Sequence, residues 1–224
     1  MGNLDEVLLK KDKIYEILKE KIIDFSYKPG QQLIEQNLCK EFGISKSPLR
    51  EAFRQLEADG LVNLVPYKGV RVASMSTNEL NDICQLREAL EVFCLEKGIN
   101  SYSNEDIEEF KALTELSRNK LEGEEKIEAF KSHLSIHYLI IKKSKNKLIE
   151  ETYSKIHNKM RRYLFLAMRL KPERINVYNA EHYKILRSIE ARNISSGIEE
   201  LRGHLSHVNE TFLADDILNI LLER

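Results

Sequence analysis

Long apolar runs are missing from these 224 residues. No segment approaches the roughly 20 apolar residues that a bilayer-spanning helix needs, so no membrane partner is expected. A secretory signal is missing too, because MGNLDEVLLKKDK mixes charges with aliphatic residues and has no small-residue cleavage site. MGNLDE also departs from the myristoylation pattern, which takes Ser or Thr where Glu6 stands. Cysteine is scarce: Cys39, Cys84 and Cys94 are odd in number and scattered, so no pair has zinc-finger spacing. They fit reduced thiols in the cytoplasm. An excess of one charge is absent as well. The formal net charge is −1, and composition alone gives no sign of a nucleic-acid partner. There is no internal repeat and no low-complexity stretch. What is present, 42% hydrophobic and 32% charged residues, is the composition of a globular chain. Its length suits one large domain or two ordinary ones.

Helical periodicity dominates. Residues 9–25 place Ile14, Ile17, Leu18, Ile22 and Phe25 at helical spacing. Tyr27-Lys28-Pro29-Gly30 is a break. Residues 34–42 read as a short helix with Leu38 and Phe42 inward, closed by Gly43 as C-cap. A second helix opens at Ser45 or Ser47, with Ser47 as N-cap and Pro48 at the first helical position. It turns Leu49, Ala52, Phe53 and Leu56 inward and stops at Gly60. The convincing β signal follows as strand 61–65, the turn Pro66-Tyr67-Lys68-Gly69, and strand 70–73. Two tightly joined helices and a hairpin make a winged helix-turn-helix. Ser76-Thr77-Asn78-Glu79 is a capping box that starts a second domain. About six amphipathic helices follow, with breaks at 101–104, 122–124, 143–147, 171–173 and 193–196, and a second capping box at Ser196-Gly197-Ile198-Glu199. The expected fold is mainly α, a winged helix-turn-helix at 1–74 and an antiparallel all-helical bundle at 75–224.

Lys46, Ser47 and Arg50 sit on the exposed first turn of the expected recognition helix, where base edges are reached in a major groove. Lys46 and Arg50 share a face, and Arg54 continues it toward the phosphates. Lys68 and Gly69 at the wing tip suit the minor groove or the DNA backbone. Singly, each of these is more often an ordinary solvated charge. Their order along the chain favours the functional role. The stretch Pro29-Gly30, Leu33-Ile34-Glu35, Leu38, Phe42-Gly43-Ile44-Ser45-Lys46-Ser47-Pro48-Leu49-Arg50-Glu51-Ala52, Leu56, Gly60-Leu61-Val62 resembles the GntR family of bacterial regulators over roughly residues 10–74. The resemblance implies that Lys46, Ser47 and Arg50 contact operator DNA and that Gly69 lies in the wing. The family often has Arg where Gln36 and Lys46 stand.

All six histidines lie between 133 and 207. His133 and His137 are i, i+4 on one helical face, so both imidazoles can meet one ion. His182 and His204 fall on two further helices. An HxxxH pair alone is more often two polar residues than a metal site. HLSIH also has Leu134 where a metalloprotease carries its glutamate base. Leu86-Arg87-Glu88-Ala89-Leu90-Glu91, Ile136-His137, Ser144, Asn146, Leu148, Glu181-His182, Ile185, Ile189 and His204 resemble the FCD domain of the FadR-type subfamily over about residues 77–215. The resemblance implies a divalent metal held by one aspartate and three histidines. The histidines match His137, His182 and His204, and His133 stands at the aspartate position. An all-imidazole set favours Zn or Ni over harder ions, and the alternative is that His133 turns away and water takes its place. His157 and His207 have no matching role and read as surface or packing residues. Arg87 can pair with a carboxylate effector by a bidentate contact, or serve in a salt bridge. Leu90, Phe93, Leu139, Ile140, Tyr163 and Phe165 read as core.

The leading function is therefore a non-enzymatic regulator, a repressor that binds palindromic operator DNA as a homodimer and senses a small organic acid. The alternatives are a regulator for which the ion itself is the signal, a metallohydrolase, and a helical interaction protein. The hydrolase lacks a base beside the ligands and gives the winged helix no purpose.

Overall fold

The computed structural model describes residues 2–118 and 125–214. Its elements in order are α1 (Gly2–Ile23), β1 (Gln32–Leu33), α2 (Glu35–Phe42), α3 (Lys46–Ala58), β2 (Val62–Val65) and β3 (Gly69–Val72). A helical series follows: α4 (Thr77–Gly98), a 3-10 turn at Ile99–Ser101, α5 (Asn104–Arg118), α6 (Glu125–Lys143), α7 (Lys147–Leu170), α8 (Arg174–Glu190) and α9 (Ile194–Ala214). The fold is the mainly helical one expected, a winged helix-turn-helix followed by a helical domain that has six α-helices among the described residues. The chain divides into two compact units, residues 1–76 with 155–162, and residues 77–154 with 163–224. Residues 155–162, expected in the second domain, thus cluster with the first unit.

In the first unit the apolar stripes meet in one core. Leu18 and Ile22 of α1 pack with Leu49, Ala52, Phe53 and Leu56 of α3 and with Val62, Val70 and Val72 of the sheet. Phe53 is only 1% exposed, and replacing such a ring with Ala costs about 3–5 kcal/mol. The sheet has three antiparallel strands in the order β1-β3-β2. Gln32 pairs with Arg71 and Leu33 with Val70 on one side of β3, and Val62 pairs with Val72 on the other. A two-residue strand shows no alternation that a sequence pattern can register, so β1 escaped the reading above. Gly43 closes α2 in the left-handed region at φ 61, as expected of a C-cap. Helix α3 begins two residues earlier than a cap at Ser47 would allow. Ser45 is its N-cap, and Pro48 is its third residue rather than its first.

In the second unit α4 packs on α6 and α9, and α8 packs on α5 and α9. Among the described residues no helix is long and apolar enough to cross a membrane. Asn146 caps α7 by accepting from the backbone N–H groups of Leu148 and Ile149. The expected break at 122–124 lies outside the described residues. The capping box expected at Ser196 is displaced: α9 starts at Ile194, and Asn193 Oδ1 accepts from Ser196 N. Ser196 turns its hydroxyl to that of Ser188 instead, at 2.9 Å. Leu139, Ile140 and Tyr163 are buried as expected, and Leu90 and Phe165 are half-buried. Phe93 is not core. It is 43% exposed, with the Lys97 ammonium 5.8 Å from its ring centroid.

Candidate metal centre and DNA-binding face

The residues expected to face DNA take their positions from local geometry in the first unit. Lys46, Ser47, Arg50 and Arg54 are all exposed on α3. They lie opposite the buried stripe of Leu49, Phe53 and Leu56. Lys68 and Gly69 are exposed at the hairpin, with Gly69 at φ 81. Two partners had no signal in the one-dimensional pattern. Glu35, the first residue of α2, receives Arg50 in a forked ion pair, Nε and Nη2 each at 3.0 Å from a carboxylate oxygen. Gln32 Nε2 donates to the Lys68 carbonyl at 3.0 Å and so ties the wing to β1. Arg54 pairs with Glu51 at 2.6 Å. Gln36 is exposed beside Glu35.

The histidines come together in the second unit. Ligand-capable nitrogens of His133, His137, His182 and His204 all lie within 4.8 Å of one another, and all four residues are buried. His133 and His137 come from α6, His182 from α8 and His204 from α9. His137 Nε2 is 3.2 Å from both His182 Nε2 and His204 Nε2. Two nitrogens each about 2.1 Å from one ion stand about 3.0 Å apart at a right angle and about 3.4 Å apart at a tetrahedral one. The observed spacing falls between these.

Protonation decides what that spacing means. His137 Nδ1 is 2.7 Å from Glu91 Oε2, and His204 Nδ1 is 2.8 Å from Glu181 Oε2. Burial alone would raise the Glu91 carboxyl, but Arg87 and His137 hold it well below the usual carboxylate range. Burial likewise opposes ionisation of Glu181, which its contacts with His204 and His207 overcome. Both are therefore carboxylates, which only accept. Burial, with Arg87 adding repulsion, pushes His137 down to about 3 and so keeps it neutral at physiological pH. His204 is shifted down as well, chiefly by burial. Each ring then carries its one proton on Nδ1, and two bare Nε2 lone pairs face each other at 3.2 Å. They cannot bond to each other. A cation between them resolves the clash, and neutral imidazole is the form that ligates. Neither nitrogen of His133 has a hydrogen-bond partner, nor does His182 Nδ1. The residues present fit a divalent ion.

Arg87 is 2% exposed. Its Nε donates to Glu91 Oε1 at 2.5 Å, while Nη1 and Nη2 have no hydrogen-bond partner. The salt bridge weighed from the sequence is thus present, and it occupies only part of the guanidinium. Glu91 and Glu181 had no assigned role in the sequence reading. Glu91 follows Arg87 by four positions, a spacing that signals an ion pair. Nothing in the sequence signals the 23-residue separation of Glu181 from His204. His207 is more than surface: its Nδ1 lies 2.6 Å from Glu181 Oε1. His157 is half-buried.

Comparison with known proteins agrees with this two-part layout. The bacterial regulatory proteins of the gntR family match residues 10–72, and the FCD domain matches residues 82–207. The chain belongs to the GntR family and carries an FCD domain. It is a bacterial DNA-binding transcription regulator. Among relatives of this GntR regulator, the transcriptional repressor GlaR of Escherichia coli K12 is 29% identical over 85% of this chain and 90% of its own. A GntR regulator from Rhodococcus has the same fold, with a TM-score of 0.79 over 92% of this chain and 98% of that one, at 18% identity. The metal-free FCD domain of TM0439 is 28% identical, with a TM-score of 0.52 over 63% of this chain and 96% of its own.

Proposed function

We propose that this GntR regulator is a repressor that senses a small organic acid at a metal centre in its helical domain. His137, His182 and His204 hold one divalent ion, Zn or Ni, with His133 as fourth ligand. The domains divide near residues 74–75. The observation that carries the effector reading is Arg87. A guanidinium buried with two terminal nitrogens unpaired is costly, and a carboxylate accepting from both removes that cost. Arg87 also stands one carboxylate away from His137, through Glu91. The ion, when bound, supplies Lewis-acid attraction for a carboxylate oxygen. Arg87 orients the same group and excludes neutral analogues. The repressor name of the relative GlaR supports the direction of control.

At the other end, Lys46, Ser47 and Arg50 read bases, while Arg54, Lys68 and Gly69 hold the backbone and the wing. One winged helix reads only a few base pairs, so useful affinity takes two copies on a palindrome, and the working form is a homodimer. Effector binding shifts the helical domain between arrangements that space the two winged helices differently.

Native mass spectrometry of the purified full chain, followed by operator binding in the presence of a panel of carboxylates, tests this. The expected result is a dimer with one ion per protomer, whose operator affinity responds to one carboxylate and not to its amide. A metal-free monomer indifferent to every carboxylate would refute it.

A further inference from the structure

Two buried carboxylates back the histidine cluster, one behind His137 and one behind His204. Glu91 is fully buried and accepts from three donors: Arg87 Nε at 2.5 Å, Tyr153 Oη at 2.7 Å and His137 Nδ1 at 2.7 Å. Glu181 forks between His204 Nδ1 at 2.8 Å and His207 Nδ1 at 2.6 Å. In both cases the carboxylate meets Nδ1, and Nε2 of the same ring turns toward the other histidines. His182 Nδ1 and both nitrogens of His133 lack any such support. The four rings thus fall into a held pair and an unheld pair.

We propose that Glu91 and Glu181 are positioning residues of the centre, each fixing the tautomer and ring orientation that present Nε2 of His137 or His204 to a divalent cation. This rests on the metal-site reading. An imidazole has two tautomers, and only the one with its proton on Nδ1 leaves Nε2 free to ligate. A carboxylate at Nδ1 selects that tautomer before the ion arrives and raises the basicity of the ligating nitrogen. Glu91 is itself held on two further sides, by α4 through Arg87 and by α7 through Tyr153. Glu181 is held by the exposed His207, which thereby acquires a task that its surface position conceals. Losing such a partner typically weakens metal binding about 10–100-fold.

Glu181 is the residue to change, because removing Glu91 would strand the Arg87 charge in the interior. Zn2+ affinity of the full-length protein is measured by competition with a chromophoric chelator for wild type, Glu181→Ala and Glu181→Gln. In parallel, long-range 1H–15N NMR reads the His204 and His137 tautomers in metal-free wild type. Glu181→Ala is expected to lose about 10–100-fold in Zn2+ affinity, and Glu181→Gln, which keeps one acceptor oxygen, to lose less. Both wild-type rings are expected to carry the proton on Nδ1. Equal Zn2+ affinity in wild type and Glu181→Ala, or an Nε2–H tautomer at either ring, overturns the positioning role while leaving the metal site standing. Wild-type protein that takes up no Zn2+ sinks the site and this role together. If Glu181→Ala fails to fold, the wild-type tautomers decide.

Discussion

Lys46, Ser47, Arg50 and Arg54 come from one 13-residue helix and all face solvent. His133, His137, His182 and His204 come from three helices and all are buried. In the proposed function the first group works through a partner that arrives from outside, so a short rigid helix and a satisfied core beneath it suffice. The second group is a set of polar atoms placed where water does not reach, several of them without a bond. Buried polar atoms without a bond are uncommon in native proteins and point to an ion, a ligand or an ordered water as the missing partner. Damage to the two regions should therefore differ: changes on α3 should alter binding and leave stability alone, whereas changes in the cluster should alter both.

The largest effect expected is from His182→Ala with His204→Ala. That double variant should lose the ion and the effector response while the winged helix stays folded. Because an ion bound only by the folded state adds about 3–4 kcal/mol at 100–1,000 times its Kd, stripping the ion from wild type should lower Tm by roughly 5–15 °C. Calorimetry with and without chelator checks this, and an unchanged Tm would erase the contrast between the two regions. Next comes Arg50→Ala. One good base contact is worth about 1–3 kcal/mol and a dimer loses two, so operator affinity should fall by at least about 30-fold at constant Tm. Fluorescence anisotropy showing wild-type affinity would mean that α3 is not the recognition helix.

Within the cluster, His133→Ala should cost less Zn2+ affinity than His204→Ala, because no hydrogen bond holds the His133 ring. Chelator competition reversing that order would remove the division into held and unheld ligands. On the DNA face, Lys68→Ala should weaken binding about equally across sequences and reduce the salt slope by about 1 per protomer, read from affinities over a salt series. Sequence-selective loss would instead make Lys68 a base reader. The smallest effect belongs to Glu35→Gln. Exposed ion pairs are worth about 0–1 kcal/mol, so freeing Arg50 should tighten operator binding by less than about fivefold per protomer. A tenfold loss would show that Glu35 holds Arg50 in its DNA-ready posture.

The sequence alone determined the order of elements, the exposed face of the recognition helix and the candidate histidines. Those features are carried by neighbours three or four residues apart, by Pro and Gly punctuation, and by family resemblance. It misled wherever a local signal had a nearby competitor. Ser45 took the cap expected of Ser47, Asn193 took the one expected near Ser196, and Phe93 kept a helical apolar spacing while facing outward. Only the tertiary structure decided which polar groups meet at long range: β1 against β3, Glu35 against Arg50, Glu181 between His204 and His207, and three Nε2 atoms at the heart of the cluster. Helical periodicity specifies which face turns inward and says nothing of which inward faces meet. Pairings across 15 to 67 residues exist only once packing has brought separate helices together.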